Sequence, residues 1–341
     1  MEPVRFGLVG YGFGGRYFHA PLLAAAPECA LLGVVTTSPE RRELIGREHP
    51  GAATFDSLEA LAAAGAEAVS ISTPAGTHTE LTDRALDLGL AVVCDKPFAL
   101  DAAAARASVE RAERLGLLLA PYQNRRVDSD FRTVRALVEE GRLGTVTRFE
   151  SRFERFTPDP GPVPAGGGTL LDFGSHLVDQ ALVLLGPVTS VYAEWRVRES
   201  GLDDDVFVAL THASGARSHL AGSWSEGAPG LRFRVTGTAG SYVVDGPMDV
   251  QESMLLAGGT PATLGEAWGA EPEERWGRLR RGDDGEVVPT LRGRWDTFYP
   301  AFARAVRGEG PLPVTARDAV VTATVLDAAR RSATEGVVVR L

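Results

Sequence analysis

Gly10-Tyr11-Gly12-Phe13-Gly14-Gly15 has the spacing G-x-G-x-x-G directly after an apolar run, Val4–Val9. Where a strand turns into a helix, such glycines leave bare backbone N–H groups and a positive helix end for a pyrophosphate. Glycine-rich turns without a ligand are common. The position at the first strand-to-helix turn of an alternating run is what favours a nucleotide here. The second apolar run ends in Thr36-Thr37-Ser38-Pro39-Glu40-Arg41-Arg42. No carboxylate stands at that strand end, from which an acidic residue would hold the ribose 2′-hydroxyl of NAD. The hydroxyls of Thr37 and Ser38 followed by the guanidinium of Arg41 suit a 2′-phosphate, because arginine gives bidentate, charge-assisted bonds to phosphate oxygens. NADP is the expected cofactor. NAD stays open, because Glu40 can swing back to a ribose.

Two further groups carry chemistry. Lys96 is the only lysine among the 35 basic residues, and it lies in Cys94-Asp95-Lys96-Pro97 at the end of another apolar run. In a chain where arginine supplies nearly all positive charge, a lone ammonium points to a task for a compact or proton-exchanging cation. A salt-bridged surface pair with Asp95 is the alternative. Asp172 and His176 are four residues apart, which on a helix puts both side chains on one face, so that the carboxylate can orient the imidazole for proton transfer. Such a pair is often only a surface contact. Gly166-Gly167-Gly168 before it and Gly174 within it permit close approach of a ligand.

The elements that must position these groups follow from the hydrophobic pattern. Val4–Val9, Ala30–Thr36, Ala68–Ser72, Ala91–Cys94 and Leu117–Ala120 read as strands alternating with helices, the pattern of a parallel sheet covered on both faces. Ser38 with Pro39, the capping box Thr77-His78-Thr79-Glu80 and Asp101 mark helix starts. After Asn124 the rhythm changes. Helices near residues 129–140 and 170–185 accompany alternating strands at residues 145–156, 188–197, 206–212, 216–224, 231–236 and 241–244, which predicts an α+β half with an antiparallel sheet. Residues 258–285 read as an irregular excursion, and two helices near residues 296–306 and 315–334 precede a last strand at 337–341. The expected domains are residues 1–122, binding a dinucleotide, and residues 123–341.

The chain has 341 residues, with 35 Lys+Arg against 45 Asp+Glu and a formal charge of −10. This composition belongs to a soluble globular protein and gives no general pull on phosphate backbones or anionic lipid, so neither nucleic acid nor membrane is an expected partner. Two cysteines, Cys29 and Cys94, make neither a disulfide framework nor a ligand cluster. Metal is not expected, and the cytoplasm is the expected location.

Gly10–Gly15, the Cys94–Pro97 block, Asn124-Arg125-Arg126 with Asp128 and Asp130, and the run Gly167–His176 occur in the order and spacing of the Gfo/Idh/MocA oxidoreductases, which the chain resembles over nearly its whole length. Phe18-His19-Ala20-Pro21, Phe153-Glu154-Arg155-Phe156 and Asp249-Val250-Gln251-Glu252 are similar to the branch that contains NADP-dependent scyllo-inositol dehydrogenases. The resemblance implies an N-terminal Rossmann domain, a doubly wound parallel sheet. It implies a C-terminal domain on a large open, mainly antiparallel sheet, forming a homodimer or homotetramer through that sheet. It also implies catalytic roles for Lys96, Asp172 and His176. Gly10, Gly12, Phe13, Gly14, Gly15, Thr37, Ser38, Arg41, Thr73, Pro74, Lys96, Asn124 and Arg125 would bind cofactor, and Arg155 would join the catalytic three at the substrate. Asp95 stands where the family usually has Glu. His78 follows Thr73-Pro74 and is read either as lining the nicotinamide site or as a solvent-exposed helix-cap neighbour, whereas His19 is read as structural.

The expected activity is hydride transfer between a secondary alcohol of a polyol, sugar or related cyclic compound and the nicotinamide. Two alternatives are cofactor-assisted glycoside cleavage without net redox change and a non-catalytic dinucleotide-sensing regulator.

Overall fold

The computed structural model describes residues 2–246 and 248–341. The chain forms two compact units. The first holds the chain up to Gln123 together with Glu252–Trp268 and Arg294–Val320, and the second holds Asn124–Gln251, Gly269–Gly293 and Val321–Leu341. Two stretches beyond residue 123, which the sequence reading groups with the C-terminal half, thus pack with the N-terminal sheet.

The first unit is built on six parallel strands: β1 (Val4–Val9), β2 (Cys29–Val35), β3 (Ala53–Phe55), β4 (Ala68–Ile71), β5 (Ala91–Cys94) and β6 (Leu119–Pro121), in the order β3-β2-β1-β4-β5-β6. Both faces are covered, so Phe6, Leu8, Val34, Val69, Ile71, Val92 and Val93 are all fully buried and the strands are mostly apolar, Arg5 of β1 being exposed. The direction of winding reverses between β1 and β4. Ligands bind at the carboxyl ends of strands at such a reversal, so the residues after β1, β2, β4 and β5 are the ones to examine. The helices are α1 (Ala20–Ala24), α2 (Pro39–Glu48), α3 (Leu58–Ala63), α4 (His78–Asp87) and α5 (Ala102–Leu115). Ser38 and Asp101 cap α2 and α5, accepting from the N–H groups of Arg41 and Ala104. The capping box expected at Thr77 does not form. The Thr77 hydroxyl turns back instead, donating to Pro74 O at 2.8 Å and pairing with the Thr73 hydroxyl at 2.7 Å.

The second unit carries β7 (Val146–Glu154), β8 (Val188–Val197), β9 (Asp203–His212), β10 (Arg217–Ser223), β11 (Phe233–Gly237), β12 (Gly240–Val244), β13 (Arg278–Arg281), β14 (Asp284–Val287) and β15 (Val339–Arg340). They form one sheet in the order β14-β13-β12-β11-β7-β10-β9-β8-β15, antiparallel except where β7 and β10 run parallel. Helices α6 (Ser129–Glu139) and α7 (Thr169–Leu185) bury Phe131, Leu170, Phe173 and Leu177 in a core shared with Phe149, Phe153, Val206, Leu220 and Phe233 of the strands. Residues 258–285 are more regular than expected, because β13 and the start of β14 fall within them and extend the sheet at its edge.

One buried carboxylate in this unit makes a stability prediction. Asp249 accepts from Ser129 N at 2.5 Å and from Gln251 N at 2.7 Å. Burial nevertheless pushes its carboxyl up to about 6, helped by the Asp130 charge and opposed by those N–H donors. The folded value exceeds the unfolded one of about 3.9, so this stabilising contribution is full below about pH 4 and is lost as pH rises through 6. Asp249→Asn should flatten the pH dependence of urea denaturation between pH 4 and 7, by about 1–3 kcal/mol across the window. Identical slopes for parent and variant would contradict it.

Candidate active site

In the first unit β1 runs into the glycine turn. Gly10 has φ +94°, and a Cβ there would lie 2.3 Å from the Ser72 carbonyl oxygen, while one on Gly15 would lie 2.2 Å from the Gly10 carbonyl oxygen. Any side chain at either position would force the turn open. Gly15 starts a π-helical turn, Gly15–His19, that leads into α1. Phe13 at the crest is 58% exposed, its ring 5.3 Å from those of Tyr17 and Phe18.

At the end of β2 the two arginines differ. Arg42 donates to Thr36 O at 2.9 Å and pairs with Asp56. The Arg41 guanidinium is exposed and has no hydrogen bond or ion pair to protein among the described residues; its Nη2 lies 3.9 Å from where a Cβ on Gly12 would sit. An exposed cation therefore stands beside the glycine turn, with Thr37 exposed next to it. The Ser38 hydroxyl serves as the helix cap and lies 3.4 Å from Glu40 Oε2.

At the end of β5, Asp95 is no surface partner. Its Oδ1 accepts from Lys96 N at 2.8 Å, while Oδ2 accepts from Ser72 Oγ at 3.0 Å and lies 3.1 Å from His19 Nε2. Burial alone would raise this carboxyl; the His19 imidazole, then Lys96 and His78, outweigh it and hold the group well below the usual carboxylate range. The other nitrogen of His19 meets Tyr299 Oη at 2.5 Å and Ser70 Oγ at 3.0 Å, so a buried polar chain runs from Tyr299 to the residue before Lys96. Sequence reasoning took His19 as structural and left Ser72 and Tyr299 without roles. The only local signal was a histidine in an apolar helix start. His78 is 1% exposed rather than a solvent-facing cap neighbour. Both of its ring nitrogens meet main-chain carbonyls, one of them that of Thr73.

Asn124 and Arg125 belong to the second unit, in a short turn, Asn124–Val127. Arg125 is 6% exposed. It donates to Asp128 at 3.2 Å and its guanidinium stands 5.1 Å from the Phe153 ring. Helix α7 begins after Gly168, whose φ of +94° brings its Cα so close to Asp203 that a Cβ would lie 2.1 Å from Oδ1. Asp203, on β9, takes the Leu170 N–H at 2.6 Å and the Thr169 hydroxyl on its carbonyl at 2.8 Å. Those bonds fix the first turn of the helix that carries Asp172 and His176. His176 is 3% exposed, 6.3 Å from Phe153 between ring centroids. Phe153 stacks on Phe173 at 3.9 Å, and Phe173 on Trp224 at 4.9 Å. Arg155 lies over the same stack, 5.1 Å from Phe153. His176 thus lies beside a stacked aromatic wall, with the cations of Arg125 and Arg155 over the same Phe153 ring. No cluster of three potential metal ligands occurs among the described residues.

A doubly wound parallel sheet with a glycine turn at its winding reversal, and a second unit carrying a carboxylate and an imidazole on one helix face, define a dinucleotide-dependent oxidoreductase. Residues 4–123 match the oxidoreductase family with an NAD-binding Rossmann fold, and residues 131–243 match the GFO/IDH/MocA C-terminal domain. The chain is similar to the scyllo-inositol 2-dehydrogenase (NADP(+)) IolW of Bacillus subtilis (strain 168), 32% identical over 349 residues, with 98% of this chain and 95% of that protein covered. The scyllo-inositol 2-dehydrogenase (NAD(+)) of the same strain is 27% identical, with 99% and 96% covered. Among solved structures, the yvaA protein of Bacillus subtilis in triclinic form superposes with a TM-score of 0.92 at 31% identity, covering 100% of this chain and 98% of that one. The chain belongs to the Gfo/Idh/MocA oxidoreductase family.

Proposed function

We propose that the protein is an NADP-preferring dehydrogenase that moves hydride between a secondary alcohol of a polyol, sugar or related cyclic compound and the nicotinamide. The observation that carries the cofactor choice is the exposed Arg41 guanidinium beside the glycine turn, which has no protein partner among the described residues. The similarity to inositol dehydrogenases supports the alcohol class. Gly10–Gly15 would hold the pyrophosphate on backbone N–H groups, Thr37, Ser38 and Arg41 the 2′-phosphate, and Thr73, Pro74 and Asn124 the nicotinamide end. When bound, the nicotinamide supplies the hydride acceptor. His176 takes the hydroxyl proton, Asp172 keeps the imidazole in the orientation that can accept it, and Lys96 donates a hydrogen bond that favours the developing alkoxide. In this reading the aromatic wall and Arg155 position the ring of the substrate. We further infer a cytoplasmic homodimer or homotetramer joined through the nine-stranded sheet. Sedimentation of the purified protein tests the oligomer, and a monomer would overturn it.

The test of the cofactor assignment is a fluorescence titration with NADPH and NADH. NADPH should bind tighter, and Arg41→Ala should erode the difference by about 1.5–3 kcal/mol, the scale of a hydrogen bond to a charged group. Equal affinity of the parent for both nucleotides would overturn the assignment.

A further inference from the structure

His78 sits at the first position of α4, 1% exposed. Its Nδ1 lies 2.8 Å from the Pro97 carbonyl oxygen and its Nε2 lies 2.8 Å from the Thr73 carbonyl oxygen. A carbonyl oxygen only accepts. A neutral imidazole has one N–H and one bare lone pair, so one of these contacts would set lone pair against lone pair at hydrogen-bond distance. Both nitrogens must therefore donate. His19, ten residues after Val9 and equally buried, is under no such demand, because its Nδ1 meets hydroxyls that can donate or accept.

We propose that His78 is an imidazolium at neutral pH and a positioning residue, clamping the chain beside Lys96 to the turn after β4. The main chain around Lys96 is then held on both sides. The Asp95 carboxylate takes the Lys96 N–H, and His78 takes the carbonyl of Pro97, the next residue. The lysine side chain therefore leaves a fixed stretch of main chain. A buried cation at a helix N-terminus is opposed by burial and by the helix dipole. Two carbonyl dipoles and the Asp95 charge offset both. In agreement, burial lowers this imidazole, but the Cys94 sulfur, Asp95 and the Pro97 carbonyl outweigh it and raise it to about 9. Glutamine at this position offers donors from one nitrogen only and cannot span the two carbonyls, so one of them loses its partner.

The role in turnover rests on the catalytic reading of Lys96; the charge state and the clamp do not. One experiment separates them. The full-length protein is labelled with 15N-histidine and 13C-lysine, and because Lys96 is the only lysine the second label gives a single-site probe. At pH 8 the resonances that vanish in His78→Gln should show a proton on both ring nitrogens. In that variant the lysine signal should shift or split, whereas His212→Gln, at a buried histidine of the second unit, should leave it in place. A single ring proton on His78 at pH 8 overturns the cation. An unmoved lysine signal in His78→Gln overturns the clamp, whether or not a substrate is in hand. With a substrate, kcat should fall about ten- to hundredfold while the NADPH dissociation constant stays within about threefold, the signature of misplacement rather than lost binding. A kcat at the parent level also overturns the positioning role.

Discussion

His176→Ala should lower kcat by about 10²- to 10⁴-fold, the range that a positioned general base contributes, while NADPH affinity stays near the parent value. The residues expected to hold pyrophosphate and 2′-phosphate all belong to the other unit, and His176 lies on a helix of the second unit, against Phe153. Asp172→Asn should cost nearly as much. The two side chains share one face of α7, and the asparagine amide cannot hold the imidazolium as the carboxylate does. The double variant should be little worse than the worse single one, because residues that act as one device are not additive. Steady-state kinetics of the three variants check this. Losses that multiply would make Asp172 an independent substrate ligand.

Lys96→Arg should keep the fold and lose most turnover, by about 10²-fold or more. The charge is retained, but a planar guanidinium that stays charged at every working pH replaces a compact ammonium. The surroundings sharpen the expectation. The Asp95 carboxylate accepts from Lys96 N–H and Ser72 and lies against His19, so it is tied into the buried polar chain and holds the main chain at Lys96. Circular dichroism and NADPH titration alongside the rate measurement separate folding from chemistry. Turnover near the parent level would return Lys96 to an ordinary charged residue.

Much of the fold could be read from local pattern. Buried parallel strands need apolar runs, and β5 is one without a break while β1 is interrupted only by the exposed Arg5; alternation marked β8, and the spacing from Leu170 onward marked α7. What escaped has physical causes. β3 is three residues long, too short for periodicity, and β13 and the edge strand β14 are charged and mostly exposed, with no apolar alternation. The return of residues 294–320 to the first unit depends on contacts such as Arg307 with Glu67, 240 positions apart, which no window of sequence contains. The site divides in the same way. Glycine spacing, a unique lysine and an i,i+4 carboxylate–imidazole pair are local and legible. The polar chain Tyr299–His19–Asp95 and the two carbonyls around His78 are tertiary, brought together only by the fold.

The central claim is net hydride transfer from an alcohol to NADP, and following nicotinamide absorbance with NADP and a panel of inositols, other polyols and sugars tests it most directly. The account predicts that at least one cyclic polyol or sugar gives reduced nicotinamide in step with the ketone formed, and that Lys96→Arg and His176→Ala abolish the signal under the same conditions. A substrate that is consumed with a glycosidic bond cut and no net reduction of the nicotinamide would contradict it.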